Sequence, residues 1–203
     1  MDREIRRNDI DFELREQDGK KIIEGYAIKW EALSQKIGMY YPFKEKFTRG
    51  SMTQTLKTFT QRALWNHDDN IVLGNTKNRK LKLTEDDIGL RFELDLPNSP
   101  NGENVYEAIK RKDVEGVSFG FRALEEEWDE TDPKNVIRTI RKADLIEISP
   151  TAFPAYTQSS VTARNENNDK AYEILLENRN KKNMREYAIR KLRMGVLIND
   201  NIG

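Results

Sequence analysis

The chain has 203 residues, 36% of them hydrophobic and 34% charged, with 35 Lys+Arg balancing 35 Asp+Glu. That length suits one domain with a real core and a short appendage, and the balanced charge leaves no global basic field to draw in nucleic acid. The absence of cysteine excludes disulfides, thiolate zinc sites, iron–sulfur ligation and a cysteine nucleophile, and with one histidine any metal would rest mostly on carboxylates.

The opening MDREIRRNDIDFEL has no apolar targeting core, and no run approaches a membrane span, so a soluble, cytoplasmic protein is expected. After this charged start, Phe12 to Arg15 alternates. Lys21 to Trp30 holds enough Ile, Tyr and Trp for a second strand, with QDG as the hairpin turn between the two. Pro42 and Gly50 bracket a loop containing KEKFTRGS, after which Ser51 is placed to cap a short helix, SMTQTLKTFTQR. Ala63 to Trp65 reads as a strand leading into His67, and Ile71 to Leu73 and Lys80 to Leu83 as short strands around an NTKNRK turn. Gly89 to Leu96 alternates most cleanly, with Leu90, Phe92, Leu94 and Leu96 on one face.

NSPNGENVYEAIKRKD contains the next helix, with Val105 and Ile109 one turn apart and Pro97 and Pro100 before its body. Gly116 to Arg122 returns to strand. EEEWDETDP, with six acids in residues 125 to 132, reads as a solvated turn or loop. NVIRTIRKADLIEIS follows as one or two strands, stopped at SPTAFPAYT by Pro150 and Pro154. Beyond Arg164 a polar linker, NENND, leads to a helix over Ala171 to Met194. The expected architecture is mainly β with peripheral helices, closing as a barrel or compact sheet pack, with a helical tail outside it.

Three stretches can carry chemistry. ALWNHDD places His67 at a strand end, where an imidazole can serve as a general base. A surface or structural histidine is the alternative, and Asp68 and Asp69 read as a solvated turn or as part of a carboxylate metal site. In GVSFGF, Val117, Phe119 and Phe121 face one way on a strand and Ser118 and Gly120 the other. That pattern leaves room for another molecule near the backbone, or merely permits close packing. It fits the G-x-S-x-G expression literally, yet no helix follows as a nucleophile elbow requires. In DLIEIS, Glu147 sits among apolar residues and needs a partner: a base such as Arg138 or Arg141, or His67, which it would orient on Ser118.

EGYAIKW, FTRGSM, LWNHD, GLRFELDLP, GVSFGF and DLIEIS followed by PAY together resemble the HK97-type caudoviral prohead maturation proteases, relatives of the herpesvirus assembly proteases. The resemblance covers residues 10 to 163. It implies a compact herpesvirus-protease-like β-barrel surrounded by helices, with residues 1–164 as the protease domain and 165–203 as a linker and tail removable on maturation. It also implies a serine endopeptidase with Ser118 as nucleophile and His67 as general base. Glu147 stands at the acidic position, where herpesvirus relatives use a second histidine that this chain lacks. Backbone amides, with Arg138 or Arg141, are candidates for the oxyanion site.

The resemblance calls for no cofactor or metal. Its partners are the major capsid protein and its scaffold segment, met inside the assembling procapsid in the host cytoplasm, with neither nucleic acid nor membrane. Self-processing is among the activities the resemblance implies, and a dimer is among the expected states beside a monomer. A non-enzymatic scaffold or assembly protein, and an acyl hydrolase acting on other substrates, are the competing functions.

Overall fold

The computed structural model describes residues 3–9, 12–38 and 41–152. The expected helix over 171–194, Pro154 and the linker lie outside the described residues. Among the described residues, ten strands and two helices follow in chain order: β1 (Glu4–Asp9), β2 (Glu13–Gln17), β3 (Lys20–Lys29), β4 (Phe43–Phe47), α1 (Thr53–Thr58), β5 (Arg62–Trp65), β6 (Asp68–Asn75), β7 (Leu81–Glu85), β8 (Gly89–Asp95), α2 (Pro100–Lys110), β9 (Gly116–Asp129) and β10 (Val136–Thr151). No helix among the described residues is long and apolar enough to cross a membrane.

One sheet runs β1-β9-β10-β5-β6 with β4 also on β10, and the other runs β2-β3-β8-β7. Their apolar faces share one core. β3 and β8 supply Ile23, Ala27, Leu90, Phe92 and Leu94, β9 supplies Val117, Phe119 and Phe121, and α2 adds Val105, Tyr106 and Ile109. The alternation of β8 is therefore a record of this interface: its odd-numbered Arg91 faces water while Leu90, Phe92 and Leu94 are buried. β2 hairpins onto β3 through Asp18 and Gly19, both with positive φ, as a two-residue Asp-Gly turn requires.

The expected barrel does not close among the described residues. β3 and β8 spend both hydrogen-bonding edges within their own sheet, which ends at β2 and β7. In the other sheet, β10 gives one flank to β9 and divides the opposite flank between two parallel partners, β4 along Val136–Ile140 and β5 at Glu147 and Ile148. The sheet branches there rather than curling onto its neighbour.

Several local expectations also change. β4 replaces a predicted loop, because Phe43, Glu45 and Phe47 are all buried against β10. The acidic stretch is a loop only in part: Glu130 and Asp132 lie in the turn before β10, while residues 125–129 are the end of β9. There Glu125, Glu126 and Glu127 face Lys142, Arg138 and Arg141 on β10, and Trp128 packs edge-on against Phe43. Pro150 does not stop pairing; it lies within β10 opposite Val117. Ser51 does not cap α1, whose N-cap is Met52, and its buried hydroxyl meets no hydrogen-bond partner. Pro100 opens α2 instead of preceding it, where its missing N–H costs nothing.

Candidate active site

His67 stands in the two-residue turn between β5 and β6. Asn66 and His67 have φ of 50° and 64°, the positive pair of a type I′ hairpin turn whose usual sequence is Asn-Gly. Asn66 suits the turn. Histidine tolerates this region better than most side chains, yet holding it there costs about 1 kcal/mol against glycine. Two bonds tie the turn to β10: the Asn66 N–H donates to Pro150 O at 3.2 Å, and the His67 N–H to Ser149 Oγ at 3.2 Å. The imidazole is thus fixed by its own backbone before its ring makes any contact.

Ser118 projects from β9 on the face opposite Val117 and Phe119. Its Oγ lies 2.7 Å from His67 Nε2. Glu147, on the neighbouring β10, lies opposite Gly120 and sets its Oε1 2.7 Å from His67 Nδ1. Three residues separated by 51 and 80 positions in the chain thereby form one line: hydroxyl, imidazole, carboxylate. Both ends are shielded, with Ser118 2% and Glu147 1% exposed.

The carboxylate settles the tautomer. An ionised Glu147 only accepts, so Nδ1 carries the proton and donates to it, leaving Nε2 as an acceptor facing Ser118. The second Glu147 oxygen accepts from Ser149 Oγ–H at 2.7 Å. A buried carboxylate with two such bonds is stable where an unpartnered one would not be. Ser149 is the residue that sequence reading missed: it serves the Glu147 carboxylate with its hydroxyl proton and the His67 backbone with its lone pair.

Gly120 supplies the space. A Cβ there would sit 2.6 Å from Glu147 Oε1 and 2.9 Å from Arg3 Cδ. The small residue next to Ser118 therefore admits an acid from within the chain. The structure also separates the alternatives for the other candidates. Asp68 accepts from the backbone and side chain of Asn70, and Asp69 is 82% exposed at its side chain, 3.9 Å from Arg3. Among the described residues no cluster of three or more His, Asp or Glu is placed to hold a metal ion. Arg141 pairs with Glu127, and Arg138 with Glu4, Glu45 and Glu126, so the described geometry assigns neither guanidinium to Glu147.

Ser118 Oγ has a second neighbour, the Arg6 carbonyl oxygen of β1 at 2.8 Å. A hydroxyl has one proton, so donation to Arg6 O and donation to His67 Nε2 compete. Beside Glu147 opens a cleft of about 280 Å³ whose walls include Arg3, Arg62, Val72 and Ile146. Its lining is mixed: Arg3 and Arg62 are cationic, Asp69 and Glu147 anionic, and Leu64, Val72 and Ile146 apolar.

A hydroxyl, an imidazole and a carboxylate in hydrogen-bonded series can perform nucleophilic acyl transfer, with the base raising the reactivity of a poorly acidic alcohol. Comparison with protein families matches residues 8–173 to the caudovirus prohead serine proteases. No curated protein and no solved structure matches the chain. The matched span contains β2 to β10 and all three residues of the line, and the chain belongs to the caudovirus prohead serine protease family.

Proposed function

We propose that Ser118, His67 and Glu147 are the nucleophile, the general base and the positioning acid of this prohead protease. The observation that carries the assignment is the unbroken series of two 2.7 Å contacts through one imidazole. Ser118 Oγ bonds to the scissile carbonyl carbon as its proton passes to His67 Nε2. The carbon–nitrogen bond then breaks, and the leaving amine takes that proton. Water repeats the sequence on the acyl-enzyme and restores the serine. Glu147 keeps Nδ1 protonated throughout and stabilises the transient imidazolium.

In this reading the substrates are the capsid protein and its scaffold segment, met inside the procapsid. Residues 1–164 are the proteolytic unit and residues 165–203 a linker and tail that the enzyme removes on maturation. The family's role in capsid maturation supports the first point, and the polar NENND stretch supports the second.

A fluorophosphonate probe tests the nucleophile directly, since an activated serine oxygen displaces its fluoride and becomes phosphonylated. Peptide mapping is expected to find the adduct on Ser118, with labelling lost in His67→Ala. An adduct on another serine, or none in a preparation that cleaves capsid protein, would overturn the assignment.

A further inference from the structure

β1 is an edge strand that lies along the nucleophile's own strand. It pairs antiparallel with β9, Arg7 opposite Ser118 and Glu4 opposite Phe121. An extended peptide bound beside a strand-borne nucleophile would make the same ladder. The pairing brings one carbonyl of β1, that of Arg6, to Ser118 Oγ. Were β1 a substrate, the bond presented would be Arg6–Arg7, with Glu4, Ile5 and Arg6 on the acyl side.

The side chains of β1 are seated as a ligand's would be. Glu4 and Arg6 are buried on the face that β9 fills with Phe119 and Phe121, where a permanent core strand would place apolar groups. Arg6 forms a fork on Glu45, Nε to Oε1 at 2.7 Å and Nη2 to Oε2 at 3.0 Å, and its guanidinium lies over the Phe121 ring. Glu4 reaches Arg138 Nη1 at 2.5 Å and Nη2 at 2.9 Å. With β1 away, Glu45 and Arg138 keep each other at 2.8 Å and Arg138 keeps Glu126, but Glu45 loses its bidentate partner and Arg138 one of three carboxylates. Losing charge-assisted bonds at buried groups is unfavourable even where one partner remains. The site therefore favours in any replacement strand a cation at the scissile carbonyl, to refill the fork on Glu45, and an anion two residues before it, to refill the place on Arg138.

We infer that β1 occupies the substrate strand's place and that Glu45 and Arg138 are the specificity residues, reading a basic residue at the scissile carbonyl and an acidic one two residues earlier. The inference rests on Ser118 as nucleophile. It accounts for the shielding of Ser118 in a chain that cuts another protein: the strand lying on β9 beside Ser118 is an edge strand, held only through β9 among the described strands. It also explains the second acceptor on Ser118, since a proton held by Arg6 O is withheld from His67 Nε2 and β1 is bound without being cut. Arg3, which leads into β1, walls the cleft beside Glu147, so displacement of this segment opens nucleophile and cleft together.

The test uses the full chain, its Arg6→Gln variant, a fluorophosphonate, and three quenched peptides. The first peptide is Glu-Ile-Arg-Arg-Asn-Asp, the second has glutamine for the first arginine, and the third has glutamine for the glutamate. Ser118 in Arg6→Gln is expected to label about tenfold faster than in the unsubstituted chain, as weakening one buried charge-assisted contact releases β1. The first peptide is expected to be cut after its first arginine about a hundredfold more efficiently in kcat/KM than the second. The third falls between them. Equal labelling rates at Ser118 with equal cleavage of the three peptides would overturn the inference and leave the nucleophile standing. Absence of any Ser118 adduct would instead remove the catalytic assignment beneath it. If Arg6→Gln does not fold, the peptide series on the unsubstituted chain decides alone.

Discussion

Replacing Gly120 with alanine strikes the line at its acid without touching any of its three residues. The new Cβ would stand 2.6 Å from Glu147 Oε1, whereas ordinary contact begins at 3.4 Å. The oxygen must therefore retreat by about 0.8 Å, since the β9 backbone is held by partners on both sides. Arg3 Cδ, also crowded, belongs to a flexible side chain and yields cheaply. The retreating oxygen is the one bonded to His67 Nδ1 at 2.7 Å, so that bond lengthens to about 3.5 Å and ceases to count as one. A displacement of this size in a catalytic constellation costs about a hundredfold in rate, short of the roughly 10⁴-fold loss when an orienting acid is replaced and the wrong tautomer results.

The expected result is a kcat about a hundredfold lower with KM little changed, measured on a capsid-derived peptide. The chain has one histidine, so imidazole NMR reports His67 without ambiguity, and its hydrogen-bonded Nδ1 proton signal should disappear. Wild-type kcat together with an unchanged Nδ1 signal would refute the reasoning that Gly120 exists to admit Glu147.

Two further expectations concern neighbouring groups. Ser149→Ala removes a donor from Glu147 and an acceptor from the His67 N–H, and should lower stability by about 1 to 2 kcal/mol in thermal unfolding and kcat by about tenfold. An unaltered enzyme would show that Ser149 is only packed there. Acid should weaken the fold through Glu4: burial pushes its carboxyl up, but Arg138 and Arg6 outweigh that and hold it below its ordinary 4.5. A depressed carboxylate stabilises the native state above its unfolded value, and that contribution is lost as pH falls through the native one. Unfolding temperature should therefore drop below about pH 4 and drop less steeply in Glu4→Gln, and equal slopes would contradict the assignment.

What the chain discloses before folding depends on the range of the interactions involved. β8 was legible because a half-buried strand writes its two faces into alternate residues. Ser118 and Gly120 on one face of β9, against Val117, Phe119 and Phe121, were legible for the same reason. β1 was not, because its burial rests on charge rather than hydrophobicity: Arg6 finds Glu45 39 residues away and Arg138 finds Glu4 across 134. β4 hid between Pro42 and Gly50 since FKEKF looks soluble until Glu45 meets those arginines. The acids of residues 125–127 read as a loop because their bases arrive only with β10. His67 was found as a lone imidazole at a strand end, but no local pattern announces a type I′ turn whose second residue is histidine. Pro150 misled through a sound rule: its missing N–H is tolerated because its carbonyl, the Asn66 acceptor, is what β10 needs there.

The most direct test is cleavage of the cognate capsid protein in cells that also make this chain. Wild type should yield a shortened capsid product by mass spectrometry, and folded Ser118→Ala should yield none while still entering the assembling shell. Undiminished shortening with Ser118→Ala would contradict the account at its centre.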